Sequence, residues 1–201
     1  MEQSSDDIYQ GRGSDADAFP SSIFLVGMMG AGKTSVGKVL ARRLGKTFYD
    51  SDHVIEERTG VKISVIFDLE GEVGFRGRES TVIDELSAVK NAVVATGGGA
   101  VLMPRNREVL RERGTVVYLR AAVSELWNRT RHDRHRPLLQ TSDPHARLFE
   151  LYAQRDPLYT DVAHVIVDTG AQSLKSLVAK LEQRLLELND RAAAPASPPQ
   201  I

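Results

Sequence analysis

At 201 residues the chain suits one domain with a substantial core, and 26 Lys plus Arg against 27 Asp plus Glu, a formal net charge of −1, exclude a global electrostatic pull toward nucleic acid or anionic membrane. With no cysteine there is no disulfide framework, thiolate zinc site or cysteine nucleophile. No apolar run approaches the roughly 20 residues of a membrane span and no signal-like segment opens the chain, so a cytoplasmic protein without membrane or nucleic-acid partners is expected, with a monomer as its expected state.

Residues 1–20 carry Glu2, Asp6, Asp7, Asp15 and Asp17 among Ser and Gly with almost no apolar residues, which predicts a disordered acidic leader. The apolar run Ile23–Val26 then reads as a strand entering Gly27-Met28-Met29-Gly30-Ala31-Gly32-Lys33-Thr34, which fits G-x-x-x-x-G-K-[ST]. Helical spacing of Val36, Val39, Leu40 and Leu44 follows. Glycines let the backbone curl so that N–H groups from Gly30 to Ser35 converge on phosphate oxygens, and the helix opening near Gly32 adds its positive end. Lys33 reaches the β and γ phosphates, and the Thr34 hydroxyl is placed to ligate Mg²⁺. The motif therefore implies ATP or a relative together with Mg²⁺.

Thr47–Asp50 reads as a strand running into Asp50-Ser51-Asp52, and acids at a strand's carboxyl end face the crevice of an α/β sheet. One carboxylate can serve the Mg²⁺ shell and the other a second substrate, while capping of a helix over 54–58 accounts for one of the pair. A short helix around Ile63–Phe67 and a longer one from Glu72 follow. On the latter, Arg76 and Glu79 share a face, which most simply makes a surface ion pair. Strand 92–96 ends in Gly97-Gly98-Gly99, more glycine than a turn needs, so close approach of a ligand is expected there. Helix 104–113, strand 115–119 and helix 123–130 complete a strand-helix alternation that predicts a parallel α/β fold.

The run Arg129–Arg136 holds four arginines and two histidines against one acid. It lacks the interleaved aromatics of an RNA surface and suits a lid that brings arginine to a phosphate. A helix over about 144–155 is expected to stop at Pro157, strand 163–167 runs into Asp168-Thr169-Gly170, and Leu174, Leu177, Val178, Leu181, Leu185 and Leu188 form one apolar stripe on a last helix. Residues 191–201, rich in Ala and Pro, read as a disordered tail.

Taken in order, Gly27–Ser35, Asp50-Ser51-Asp52, Gly71-Glu72 with Phe75-Arg76, Gly97-Gly98-Gly99-Ala100, Arg136-Pro137-Leu138-Leu139 and Arg155-Asp156-Pro157-Leu158-Tyr159 resemble the shikimate kinases over about residues 22–188. The resemblance implies a P-loop three-layer α/β fold: five parallel strands flanked by helices, a substrate-binding helical segment and a lid near 131–142, all within one domain over 21–190. It implies transfer of the γ-phosphoryl of ATP to the 3-hydroxyl of shikimate, a step toward chorismate and the aromatic amino acids. By motif, Asp52 would hold the acceptor hydroxyls and take the attacking proton, and Arg76 and Arg155 would bind the carboxylate. Gly97, Gly98 and Gly99 would offer backbone N–H groups, and Asp50 would join Thr34 at the metal. Arg136 would reach the ATP phosphates, Arg129 would lie against adenine, and Gln172 would contact the nucleotide through its backbone. Asp52 needs no raised pKa for this chemistry. A gluconate-type kinase shares the loop and lid but has less use for Arg76, Arg155 and three glycines together. A non-catalytic nucleotide-binding or RNA-binding module would bind without acceptor-dependent turnover.

Overall fold

The apolar runs around Ile23–Val26 and Ala92–Ala95 become central strands buried on both faces, the pattern of a parallel sheet covered by helices, while the edge strands are only partly covered. A computed structural model describes residues 21–193 apart from 134, 135 and 171. The expected leader, most of the expected tail, and Arg134 and His135 of the basic run lie outside these residues. Five strands, β1 (Ser22–Val26), β2 (Thr47–Asp50), β3 (Ala92–Ala95), β4 (Gly114–Arg120) and β5 (Val165–Asp168), pair in parallel in the order β2-β3-β1-β4-β5. Every residue of β1 and β3 is buried.

On one face α1 (Lys33–Arg43) packs with α7 (Leu174–Ala193), whose Leu177, Val178, Leu181 and Leu185 are buried as the stripe requires. The other face carries α3 (Ile63–Ala88), α4 (Pro104–Arg113) and α6 (Pro144–Val162), with α5 (Val123–Thr130) against α6 and α2 (Ser51–Thr59) against α3. The expected three-layer fold is thus present. Within α3 the helix breaks at Gly71 (φ 68°, ψ −176°), which separates the expected short helix from the longer one. The chain reverses direction across the sheet between β1 and β3, so the loops after these two strands flank the crevice where such folds bind ligands.

Three expectations of local structure need correction. First, α6 does not stop at Pro157 but continues to Val162. Loss of one backbone hydrogen bond and the ring clash cost about 3 kcal/mol in an isolated helix. Here Leu148, Leu151, Arg155, Tyr159 and Val162 are buried along the helix on both sides of the proline, and Tyr118 donates to Asp156 at 2.6 Å. Packing therefore outweighs the local preference. Second, α2 begins at Ser51, since the Asp50 side chain accepts from Asp52 N at 3.1 Å and caps it there. Third, α7 extends to Ala193, past the expected boundary at 191.

Candidate active site

The glycine-rich loop after β1 curls as its sequence requires, with positive φ at Gly30 (79°) and Gly32 (91°), values that side-chain-bearing residues rarely adopt. Gly32 caps α1 without any side-chain bond, no acid lies in the first turn, and the first backbone bond across the cap is Val36 N to Gly32 O at 2.9 Å. The N–H groups at the start of α1 therefore face the loop with the helix's positive end behind them. Lys33 Nζ donates to the carbonyls of Gly27 (2.8 Å) and Met28 (3.0 Å), across the mouth of the loop. Burial lowers its pKa to about 8, against the pull of Asp52 and Asp50. Thr34 donates to Asp50 Oδ2 at 2.7 Å, so a hydroxyl and a carboxylate stand side by side. Arg129 rests over the same loop, donating to Gly30 O at 3.2 Å.

The other half of the site is assembled from several separate elements. A cleft of about 630 Å³ opens beside the loop, lined by Asp50 and Asp52, by Arg76 and Glu79 of α3, by Gly97–Gly99, by Arg155 of α6 and by Arg136, with Phe67, Phe75 and Leu138 as apolar walls. Asp52 lies in the first turn of α2, and its Oδ1 is buried without a hydrogen-bond partner. Burial, then Glu79 and Asp50, push its carboxyl up to about 7, whereas the sequence reading required no shift.

The Arg76–Glu79 pair is not on the surface, contrary to the simplest reading of its spacing. Arg76 is 8% and Glu79 0% exposed, joined at 2.6 Å, with Glu72 also on Arg76 at 2.9 Å. Burial pushes Glu79 above the ordinary carboxylate range despite Arg76 beside it, and its Oε1 has no partner. Glu79 is the cleft-lining residue that sequence reasoning missed. The available signal was its place on the one apolar face of that helix, four residues after Phe75 and three and four before Val82 and Ile83, which puts Glu79 inside.

The three glycines answer to these charges. A Cβ at Gly97 would overlap Glu79 Oε1 and lie 2.7 Å from Asp52 Oδ1, and one at Gly99 would fall within the Arg76 guanidinium. Gly97 N donates to Ser51 Oγ at 2.9 Å, so among the described residues only Gly98 and Gly99 of the triplet keep free N–H groups. This narrows the expected donor set by one.

Arg155 is 1% exposed, yet among the described residues no carboxylate lies within ion-pairing distance of it. Its Nη1 donates to Gly98 O at 3.2 Å, and Tyr159, one helical turn on, also donates to that carbonyl. Arg155 Nε has no partner, and burial lowers the residue's pKa. A buried guanidinium with no carboxylate in ion-pair contact is costly, a cost that an anionic ligand in the cleft would offset. Gln172 does not line this cleft; its side chain donates to Asp168 O at 2.7 Å and its backbone N–H to Gly170 O at 2.9 Å, so of its backbone groups only the carbonyl remains for a ligand.

A family model, shikimate kinase, matches residues 29–186. The chain belongs to the shikimate kinase family. A shikimate kinase of Nitrosomonas europaea is 55% identical over 190 residues, 94% of this chain and 90% of that one. The structure of Acinetobacter baumannii shikimate kinase in complex with shikimate superposes with a TM-score of 0.84 at 48% identity, covering 87% of this chain and 98% of that one. A Sinorhizobium meliloti gluconokinase, at 22% identity, a TM-score of 0.51 and coverage of 87% and 94%, shares the fold alone. The family and its ATP-dependent chemistry thus agree with a phosphate loop joined to a cleft lined by Arg76, Arg155 and Arg136.

Proposed function

We propose that this chain transfers the γ-phosphoryl group of ATP to the 3-hydroxyl of shikimate, forming shikimate 3-phosphate and ADP. The observation that carries the reading is Arg155: a buried cation lacking a carboxylate partner, in a cleft that continues into the phosphate loop, suits an acceptor bearing a carboxylate. Gluconate also carries one, but high identity to shikimate kinases over nearly the whole chain favours shikimate.

Arg155 and Arg76 hold the acceptor's carboxylate, with Gly98 and Gly99 N–H groups beside it and Gly97 giving room for Asp52 and Glu79 to approach. Asp52 Oδ1 accepts from the attacking hydroxyl and takes its proton as the oxygen bonds to the γ-phosphorus. The bond from that phosphorus to the bridging oxygen breaks, and ADP leaves. A carboxyl poised near 7 suits a group that accepts a proton and returns it to solvent. Gly30–Ser35 cradle the phosphates, Lys33 moves from the loop carbonyls to the β and γ phosphates, and Arg136 stabilises charge on the transferring group. Arg129 lies against adenine, with Gln172 on the same side.

Mg²⁺ fits the paired oxygens of Thr34 and Asp50, because this ion keeps waters and phosphate oxygens and needs one or two protein ligands. Once bound it would neutralise charge on the β and γ phosphates. The reading takes the protein as a cytoplasmic monomer with no nucleic-acid partner, in line with its near-zero net charge. Acceptor-dependent ADP release from Mg·ATP, compared across shikimate, gluconate, nucleoside monophosphates and no acceptor, tests it. Turnover with shikimate alone is expected; turnover with gluconate in its place, or with none, overturns it.

A further inference from the structure

Arg136 stands on the wall between two hollows. It lines the large cleft, and it also lines a smaller cavity of about 300 Å³ between the end of α5 and the start of α6, together with Asp133, Trp127 and Gln140. Asp133 lines both hollows as well. The Arg136 Nε and Asp133 Oδ2 are 2.8 Å apart, each side chain about one-third exposed. The Nε–H is not aligned on the carboxylate and makes no hydrogen bond, so the contact is mainly Coulombic.

The position of Asp133 is fixed from behind. Its backbone N–H donates to Thr130 O at 2.9 Å, and Thr130 Oγ1 donates to Leu126 O at 2.7 Å within α5. The Thr130 methyl sits so close to the phosphate loop that a Cβ at Gly30 would meet it at 2.7 Å. The backbone that carries the carboxylate is therefore anchored at the end of α5, which packs against that loop. In that setting Arg136 faces like charge, since it and Arg155 both lower the pKa of Lys33. Asp133 offsets this repulsion at Arg136.

We propose that Asp133 is a positioning residue that holds Arg136 as a stand-in for the nucleotide's phosphates, so that ATP binding is a partner exchange in which the triphosphate displaces the carboxylate. The inference rests on the reading that Arg136 meets the ATP phosphates. After the exchange Asp133 stays near a polyanion, so its charge opposes nucleotide binding twice: by holding Arg136 before, and by repelling phosphate after. A partly exposed pair of this kind changes an equilibrium constant by up to about fivefold.

The test is a double-mutant cycle on the full chain, reading the Kd of Mg·ATP by titration and the KM of shikimate by turnover. Asp133→Asn tightens Mg·ATP by about two- to fivefold with no change in shikimate KM, the gain shrinks as salt is raised, and Asp133→Glu returns the Kd toward wild type. In an Arg136→Gln background, Asp133→Asn loses most of this gain. An unchanged or weaker Kd in Asp133→Asn overturns the proposal, because a purely structural carboxylate gives that result. An equal gain in both backgrounds also overturns it, because the charge then acts on phosphate without Arg136. If Arg136→Gln alone leaves both nucleotide affinity and turnover unaltered, the assignment of Arg136 itself fails, a result distinct from a silent Asp133→Asn beside an impaired Arg136→Gln.

Discussion

The two halves of the cleft are built differently. The nucleotide half is local: residues 27–35 form strand end, loop and helix start in one continuous stretch, and its donors are chiefly backbone N–H groups plus Lys33. The half proposed for the acceptor joins α2, α3, the loop after β3 and α6, and it presents the buried charges Arg76, Glu79 and Arg155 together with Asp52, whose Oδ1 is buried. A chain that must grip many phosphate oxygens can do so with a turn, whereas one that must tell a small anionic polyol from water needs charges brought from several directions and kept dry. Damage to one half should therefore leave binding at the other intact.

The largest effect expected is on the nucleotide side. Lys33→Ala removes the cation that follows the β and γ phosphates and lowers turnover by at least about 100-fold, with shikimate binding retained in a direct titration. Loss of both together would show that the halves are coupled through Lys33. On the acceptor side Arg155→Ala removes charged hydrogen bonds worth about 1.5–3 kcal/mol, so shikimate KM rises on the order of 10- to 100-fold while ATP KM holds; steady-state kinetics with each substrate varied separates the two. Gly99→Ala should give a smaller, roughly tenfold rise in the same constant, since the added Cβ displaces the Arg76 guanidinium without deleting it.

A fourth effect is on stability alone. Burial raises the Asp52 carboxyl to about 7, so the folded state favours its protonated form. That contribution is fully present below the unfolded value near ~4 and is lost as pH rises through about 7. Asn cannot ionise. The Tm of Asp52→Asn minus that of wild type should thus climb between about pH 4 and 7 and then level off, and a difference independent of pH would show that Asp52 is not held in this way.

The same contrast explains what could be read from the chain. The sheet, the helix order and the phosphate loop were legible because each depends on neighbours in sequence: apolar runs, glycine spacing, a Lys-Thr pair. The residues alone narrowed Asp50 and Asp52 to a pair, and only the family resemblance told them apart, since the distinction depends on Thr34, 16 residues away, donating to Asp50. Arg76 and Glu79 have the spacing of many exposed helix pairs, and only the packing of α3 against the rest of the molecule buries them. Pro157 misled for a related reason. Its local penalty is real, but the buried stripe that carries α6 through it is a tertiary fact.

Asp52→Asn tests the central claim most directly, with Mg·ATP affinity measured by titration and transfer to shikimate followed by rapid quench in a single turnover. The account predicts nucleotide affinity near wild type and phosphoryl transfer slowed by about 100-fold or more. Transfer at the wild-type rate would contradict it, because the unpartnered carboxylate oxygen at the heart of the cleft would then have no part in the reaction.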